Sequence, residues 1–209
     1  MTRGDAKAWN RAHAFAKIAH GEQKRRYTGL PYVHHCEMVA SRMMSLGCDD
    51  DVICAAYLHD VVEDTHTTEA DLRRFFSKKV CDLVMEVTDV SKPEDGNRAA
   101  RKEMDRQHLE KASPEAKTIK LADLIDNMHD IVEHDPGFAK VFMEEAEALV
   151  EALWNASEQS LWQRAKWMIE EWHAGPEHGG DLWRFYWYEE DAYDTGAFPS
   201  PGSSKWGAT

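Results

Sequence analysis

A chain of 209 residues, 43% of them hydrophobic, is long enough to bury a core without staples, and its length predicts one domain. A formal net charge of −13 argues against a nucleic-acid surface. With no 18-residue apolar run and no basic-then-apolar start, neither a membrane span nor a signal peptide is expected, and the expected compartment is the cytoplasm. The cysteines Cys36, Cys48, Cys54 and Cys81 lack CxxC spacing and mostly lie in apolar segments, so they read as buried thiols.

In chain order the sequence reads as helix after helix, an all-α bundle. Ala6 to His20 carries a helical apolar stripe (Trp9, Ala12, Phe15, Ile18, Ala19) that Gly21 can end. The loop from Gly21 to Pro31 holds Lys24-Arg25-Arg26 and Tyr27-Thr28-Gly29, closing a stretch that is basic from Arg3 onward. Such a patch on an acidic protein suits a polyphosphate ligand, or is a solvated helix face with a basic turn. A second helix runs from His35 to Leu46 before Gly47, and Asp49 to Asp51 offers N-cap oxygens for a third that continues through Asp64. Thr68 and Asp71 form a capping-box pattern, Val80, Leu83, Val84 and Val87 give the next apolar face, and Pro93 to Asn97 marks a loop. Ser113-Pro114 starts a helix through Asp123 and Asn127, which Asp135-Pro136-Gly137 breaks. Two helices follow, Phe138 to about Trp154 and about Glu158 to His173, with Phe142, Leu149, Leu153, Leu161, Trp162, Ile169 and Trp172 packing the bundle. The domain is expected to span residues 1–175, and residues 176–209 an acidic, aromatic extension, partly irregular. Its Trp183 to Tyr188 patch covers the core by default, with a second subunit or the site itself as the other readings.

The third helix holds the chemistry. His59-Asp60-Val61-Val62-Glu63-Asp64 sets His59 with Glu63 and Asp60 with Asp64 as stacked pairs, backed by Val52, Ile53, Ala55, Ala56 and Leu58. Four ionisable groups on an apolar helix need compensation, and a divalent cation is the usual one. Imidazole beside carboxylate suits a transition metal, and His35 and Asp123, each in an apolar context, are the candidates to complete the ligand set.

The set His35, His59-Asp60, Glu63-Asp64 and Asp123 with Asn127 resembles the HD-domain phosphohydrolases, specifically the RelA/SpoT-like branch of the stringent response that removes the 3′-pyrophosphate from the alarmone (p)ppGpp. The similarity runs from about Phe15 to about Ile131 and includes His20, Gln23, Arg26, Thr28-Gly29, Pro31-Tyr32, Leu58, Val62, Val87-Thr88 and Lys120-Leu121-Ala122 in the family's order. It implies an HD-domain helical bundle and metal-dependent release of pyrophosphate from a nucleotide. At this length no synthetase domain is expected beside the hydrolase part.

The resemblance also implies roles. His35, His59, Asp60 and Asp123 would hold the ion; their nitrogen and oxygen donors admit Mn²⁺, Fe²⁺ or Zn²⁺, and the family favours Mn²⁺. Glu63 would position or deprotonate water, Asp64 would lie in the network behind it, and Asn127 would orient water or the ribose phosphate. Lys24, Arg25, Arg26 and Thr28 would contact the nucleotide, with Arg26 as the matching arginine. The family's proline after the first metal histidine is Cys36 here, so Pro31-Tyr32-Val33-His34-His35 spacing selects His35 over His34. Leu124 and His129 stand where basic residues are common, which weakens two anion contacts. Other classes stay open: an HD-superfamily 5′-nucleotidase or NADPH phosphatase-like enzyme, and a nucleotide-binding module without catalysis.

Overall fold

Glycines in left-handed conformation close the first two helices. α1 (Ala8–His20) ends at Gly21, φ +51°, and α2 (Val33–Ser45) at Gly47, φ +70°, a region that costs any residue with a Cβ. The structure is a computed structural model that describes residues 8–175. The start of the basic stretch, the expected boundary at 175/176 and the Trp183 to Tyr188 patch lie outside the described residues. Between α1 and α2 the basic loop folds back on itself, with the Arg25 amide on Leu30 O at 2.9 Å and the Tyr32 amide on Gln23 O at 2.8 Å.

The third helix departs from expectation. It is broken where continuity through Asp64 was predicted: α3 (Asp50–Leu58) stops before His59, and α4 (Val61–Asp64) restarts after Asp60, whose backbone relaxes to φ −97°, ψ −5°. Adjacent residues on a regular helix point about 100° apart. The break lets His59 and Asp60 aim at one centre. Of the expected Asp49 to Asp51 caps, Asp49 does take the N-cap position of α3, but its carboxylate accepts no amide and faces Lys79 at 3.5 Å. α5 (Glu69–Phe75) does begin with the expected capping box of Thr68 and Asp71, and α6 (Lys78–Val87) buries the expected face.

After a short 3₁₀ turn at Pro93–Asp95, α7 (Arg98–Glu110) is a helix the sequence pattern did not announce. It buries only Asp105 and Leu109, too little for an apolar stripe. α8 (Pro114–His134) starts as expected, with the Ser113 hydroxyl accepting the Ala116 amide at 3.3 Å and Pro114 in the first turn. Asp135 then ends α8 and caps α9 (Pro136–Ala152) by accepting the Phe138 amide at 3.1 Å, so Pro136-Gly137 opens a helix rather than preceding one. α10 (Gln159–Ala174) closes the described chain.

α8 lies at the centre, in contact with α2, α3, α6, α9 and α10, and buries Ile119, Leu121, Ile125 and Met128 completely or nearly so. Its first turn is anchored by polar groups: buried Lys117 donates to Glu110 O at 2.8 Å and Asn155 Oδ1 at 2.6 Å, and Thr118 Oγ1 accepts the Glu158 amide at 3.1 Å. Among the described residues there is no strand, only an isolated bridge between Lys24 and Pro31, and no described helix is long and apolar enough to cross a membrane.

Ser113 caps α8 and also gives its amide and hydroxyl to Glu86, so it joins the central helix to α6. Ser113→Ala should lower stability by about 1–2 kcal/mol. Urea unfolding checks this: the midpoint falls while the slope is unchanged, and an unmoved midpoint would mean that packing alone starts α8.

Candidate metal centre

Four side chains from three parts of the chain meet at the α3–α4 break. His35 comes from α2, His59 and Asp60 from the break, and Asp123 from α8, and the two imidazoles are each 1% exposed. The Nε2 atoms of His35 and His59 stand 3.2 Å apart. Asp60 Oδ2 is 3.0 Å from His59 Nε2 and 3.5 Å from His35 Nε2, while Asp123 Oδ1 is 3.1 Å from His35 Nε2 and 3.7 Å from His59 Nε2.

The outer nitrogens decide what the inner ones offer. His59 Nδ1 lies 2.8 Å from Ala56 O, and a carbonyl only accepts, so that nitrogen carries the hydrogen. His35 Nδ1 faces Asp126 Oδ2 at 2.6 Å in the same manner. In the neutral form that binds a cation, each imidazole would turn an Nε2 lone pair inward. Burial by itself lowers His59, but the charges of Asp60 and Asp123 override it and hold the ring well above its ordinary pKa, while Lys120 and both histidines hold Asp123 well below the carboxylate range in spite of burial. The pocket calls for positive charge at its middle. Two nitrogens and two carboxylates around one point are donors that would suit a divalent first-row ion.

Neighbours fix the ligands in place. The Tyr32 hydroxyl donates to Asp60 Oδ2 at 2.7 Å, Asn127 Nδ2 donates to Asp123 Oδ1 at 2.6 Å, and Lys120 Nζ is 2.9 Å from Asp123 Oδ2. His34 points outward and is exposed, whereas His35 is buried. Glu63 stands at the rim, its Oε1 accepting the Asp89 amide at 2.6 Å. Desolvation pushes its carboxyl up to about 7, with Asp89 and Asp60 adding to the effect and Lys120 opposing it. Asp64 Oδ2 accepts from Gln23 Nε2 at 3.0 Å. The regular helix assumed for pairing His59 with Glu63 is broken at His59-Asp60, and the Glu63 carboxylate accepts the Asp89 amide.

The basic loop divides. Arg25 is buried, with Nη1 on Asp126 at 2.7 Å and Nε and Nη2 on Asp130 at 2.8 and 2.6 Å. Arg26 is 78% exposed, over the Tyr27 ring at 5.3 Å and 3.9 Å from Asp135. Lys24 and Thr28 are also exposed, and the Thr28 hydroxyl accepts the Leu30 amide at 3.4 Å. Among the described residues, Lys24, Arg26 and Thr28 make no hydrogen bond or ion pair with the four converging side chains. Sequence reasoning gave Lys120, Asp126 and Tyr32 no role. The available signal for Asp126 was its place one turn after Asp123, on the same face of the helix.

On the other side of Asp123 a cleft of about 530 Å³ opens between α7, α8 and α9. Lys120, Asp123 and Asn127 line its end at the centre, Arg98, Lys102 and Arg106 one wall, and Val141, Phe142 and Leu149 another. That size admits a nucleotide-sized ligand.

A family model described as HD domain matches residues 12–156. The chain belongs to the HD-domain family. It is 39% identical over 118 residues to the guanosine-3′,5′-bis(diphosphate) 3′-pyrophosphohydrolase of Aquifex aeolicus, a match that takes in 56% of this chain but only 17% of the relative. With the Drosophila melanogaster guanosine-3′,5′-bis(diphosphate) 3′-pyrophosphohydrolase MESH1, identity is 38% over 125 residues, 58% of this chain and 68% of the relative. A solved structure of a metazoan ortholog of SpoT that hydrolyzes ppGpp matches with a TM-score of 0.70 at 29% identity, covering 79% of this chain and 95% of that one.

If the four side chains hold one ion, His59→Ala or Asp60→Ala removes a donor that no neighbour replaces. Metal retained after dialysis should fall well below that of the unaltered chain, with affinity reduced by at least about tenfold, the scale on which even a ligand's supporting partner acts. Elemental analysis alongside far-ultraviolet circular dichroism checks it; full occupancy in a folded variant would remove that residue from the set.

Proposed function

We propose that this chain is a metal-dependent phosphohydrolase that removes the 3′-pyrophosphate from guanosine or adenosine alarmones of the (p)ppGpp type, releasing pyrophosphate. The observation that carries the reading is the convergence of His35, His59 and Asp123 on one buried point, with Asp60 Oδ2 3.5 and 3.0 Å from the two imidazole nitrogens, in a chain whose matched stretches of 118 and 125 residues are 39% and 38% identical to two pyrophosphohydrolases of that name. Mn²⁺ is the ion we assign, Fe²⁺ and Zn²⁺ being compatible with the same donors. When bound, such an ion polarises the phosphoryl oxygen and makes water a better nucleophile. The reducing cytoplasm is the setting we assign, in keeping with four free thiols.

The chain's own groups do the rest. Glu63 takes the proton of the attacking water, and the Asp89 amide on its Oε1 leaves the other oxygen for that task. Asp64, tied to Gln23, belongs to the network behind it, and Asn127, tethered to Asp123, orients water or the ribose phosphate. Lys120 offsets negative charge where the phosphoryl group is expected, and the cleft beyond it accepts the nucleotide. Arg26, with Lys24 and Thr28, grips the substrate away from the bond that breaks. Incubation of the Mn²⁺-loaded chain with ppGpp should release pyrophosphate; orthophosphate from a nucleoside monophosphate instead would move the reading to a nucleotidase.

Glu63 must be ionised to accept a proton, so activity should rise with pH through an apparent pKa at or below about 7, since a bound cation lowers the value that burial raises. Glu63→Gln should cut turnover by roughly 10²-fold with the metal retained and should lose that acid limb. Loss of metal from this variant would make Glu63 a ligand. Arg26→Ala should raise KM with kcat nearly unchanged, because contacts shared by ground and transition states act on KM. A Michaelis analysis on ppGpp that shows no change would reduce the exposed arginine to a solvated turn residue.

A further inference from the structure

The loop arginine that points inward does not end at the substrate. Arg25 reaches Asp126, and Asp126 reaches His35. We infer that Asp126 is a positioning residue of the metal centre, holding the His35 ring so that Nε2 faces the ion and tying that ring through Arg25 to the basic loop. The inference rests on the metal centre proposed above.

The geometry is specific. Asp126 is 4% exposed, and its Oδ2 takes both His35 Nδ1 at 2.6 Å and Arg25 Nη1 at 2.7 Å, while Arg42 Nη1 is 3.5 Å from Oδ1. His35 and Arg42 lie two turns apart on the same face of α2, and Asp123, Asp126 and Asp130 share a face of α8. Arg25 spends its remaining donors, Nε and Nη2, on Asp130. An imidazole that binds a cation through Nε2 keeps its hydrogen on Nδ1, and an acceptor there fixes both tautomer and ring plane and makes the ligand more basic. A carboxylate pinned by a buried guanidinium is such an acceptor, and against the cost of burial the hydrogen bond from His35, with Arg42 and Arg25 behind it, favours its charged form. Arg25 is thereby a member of the support and not a nucleotide contact, so its loss reaches the centre through His35.

The test compares the unaltered chain with Asp126→Asn, Asp126→Ala and Arg25→Gln, each first checked for folding by thermal unfolding without metal. Mn²⁺ affinity is measured by calorimetry without substrate, and the His35 Nδ1–H resonance is followed in Zn²⁺-loaded, ¹⁵N-histidine-labelled protein. Asp126→Ala should bind Mn²⁺ about 10–100-fold more weakly and lose the slowly exchanging Nδ1–H signal. Asp126→Asn keeps an acceptor oxygen without the charge, so it should retain the signal, shifted, with a loss of at most about tenfold. Arg25→Gln should shift the same signal and weaken Mn²⁺ binding by less than Asp126→Ala. Should Asp126→Ala fail to fold, the asparagine variant decides. Unaltered Mn²⁺ affinity together with an unmoved resonance in the folded variants overturns the inference and leaves the metal centre standing. Failure of the unaltered chain to bind Mn²⁺ or Zn²⁺ overturns both. Neither outcome depends on which nucleotide is the substrate.

Discussion

Two imidazole nitrogens 3.2 Å apart, both directed inward and both buried, with carboxylate oxygens 3.0 and 3.1 Å away, are the arrangement to which much of the architecture answers. Inside a helical core such a cluster is costly unless a cation sits at its middle or protons are shared across it. The surroundings are built to keep it assembled. α3 gives up its regular course at His59 and Asp60, and α2 and α8 are held in contact so that His35 and Asp123 arrive from opposite sides.

The cluster also explains the character of α8. A helix in contact with five others would be expected to be apolar all round. One strip of it instead carries Lys120, Asp123, Asp126, Asn127 and Asp130, and these groups meet charged or hydrogen-bonding partners. Polar groups buried this way contribute little net stability, and unpairing one is far more damaging than pairing it is stabilising. Their return is geometric: each fixes a ligand or the loop behind it. The polar anchoring of the same helix at Ser113, Lys117 and Thr118 holds its start in register with α6 and with the α9–α10 connection.

The loop between α1 and α2 serves the centre in two ways. Arg25 turns in and joins the support of His35, while Arg26 turns out and is free to meet solvent or an anionic ligand. α7 brings Arg98, Lys102 and Arg106 to the cleft it forms with α9, where they pair with Glu145, Asp89 and Glu103, although it contributes only Asp105 and Leu109 to the buried interior. Asp105 has its own task there. It accepts the amides of Val90 and Ser91, and so holds the loop whose Asp89 amide meets Glu63.

Local signals along the chain were enough to read the helical class, most helix starts and stops, and the candidate ligands. Capping residues and left-handed glycines act within a few residues, and a histidine followed by an acid in an apolar helix carries its electrostatic demand in its immediate neighbours. Tertiary structure decided what depends on distant partners. α7 is stabilised from outside an apolar stripe, through the Asn97 cap and contacts with α9, so periodicity could not reveal it. The break at His59-Asp60 leaves no glycine or proline in the sequence, since it follows from two adjacent side chains sharing one centre. Which of two neighbouring arginines points inward, and which aspartate on α8 supports His35, was decided by the approach of α2 and the basic loop to α8, across about a hundred residues of chain, where local spacing carries no information.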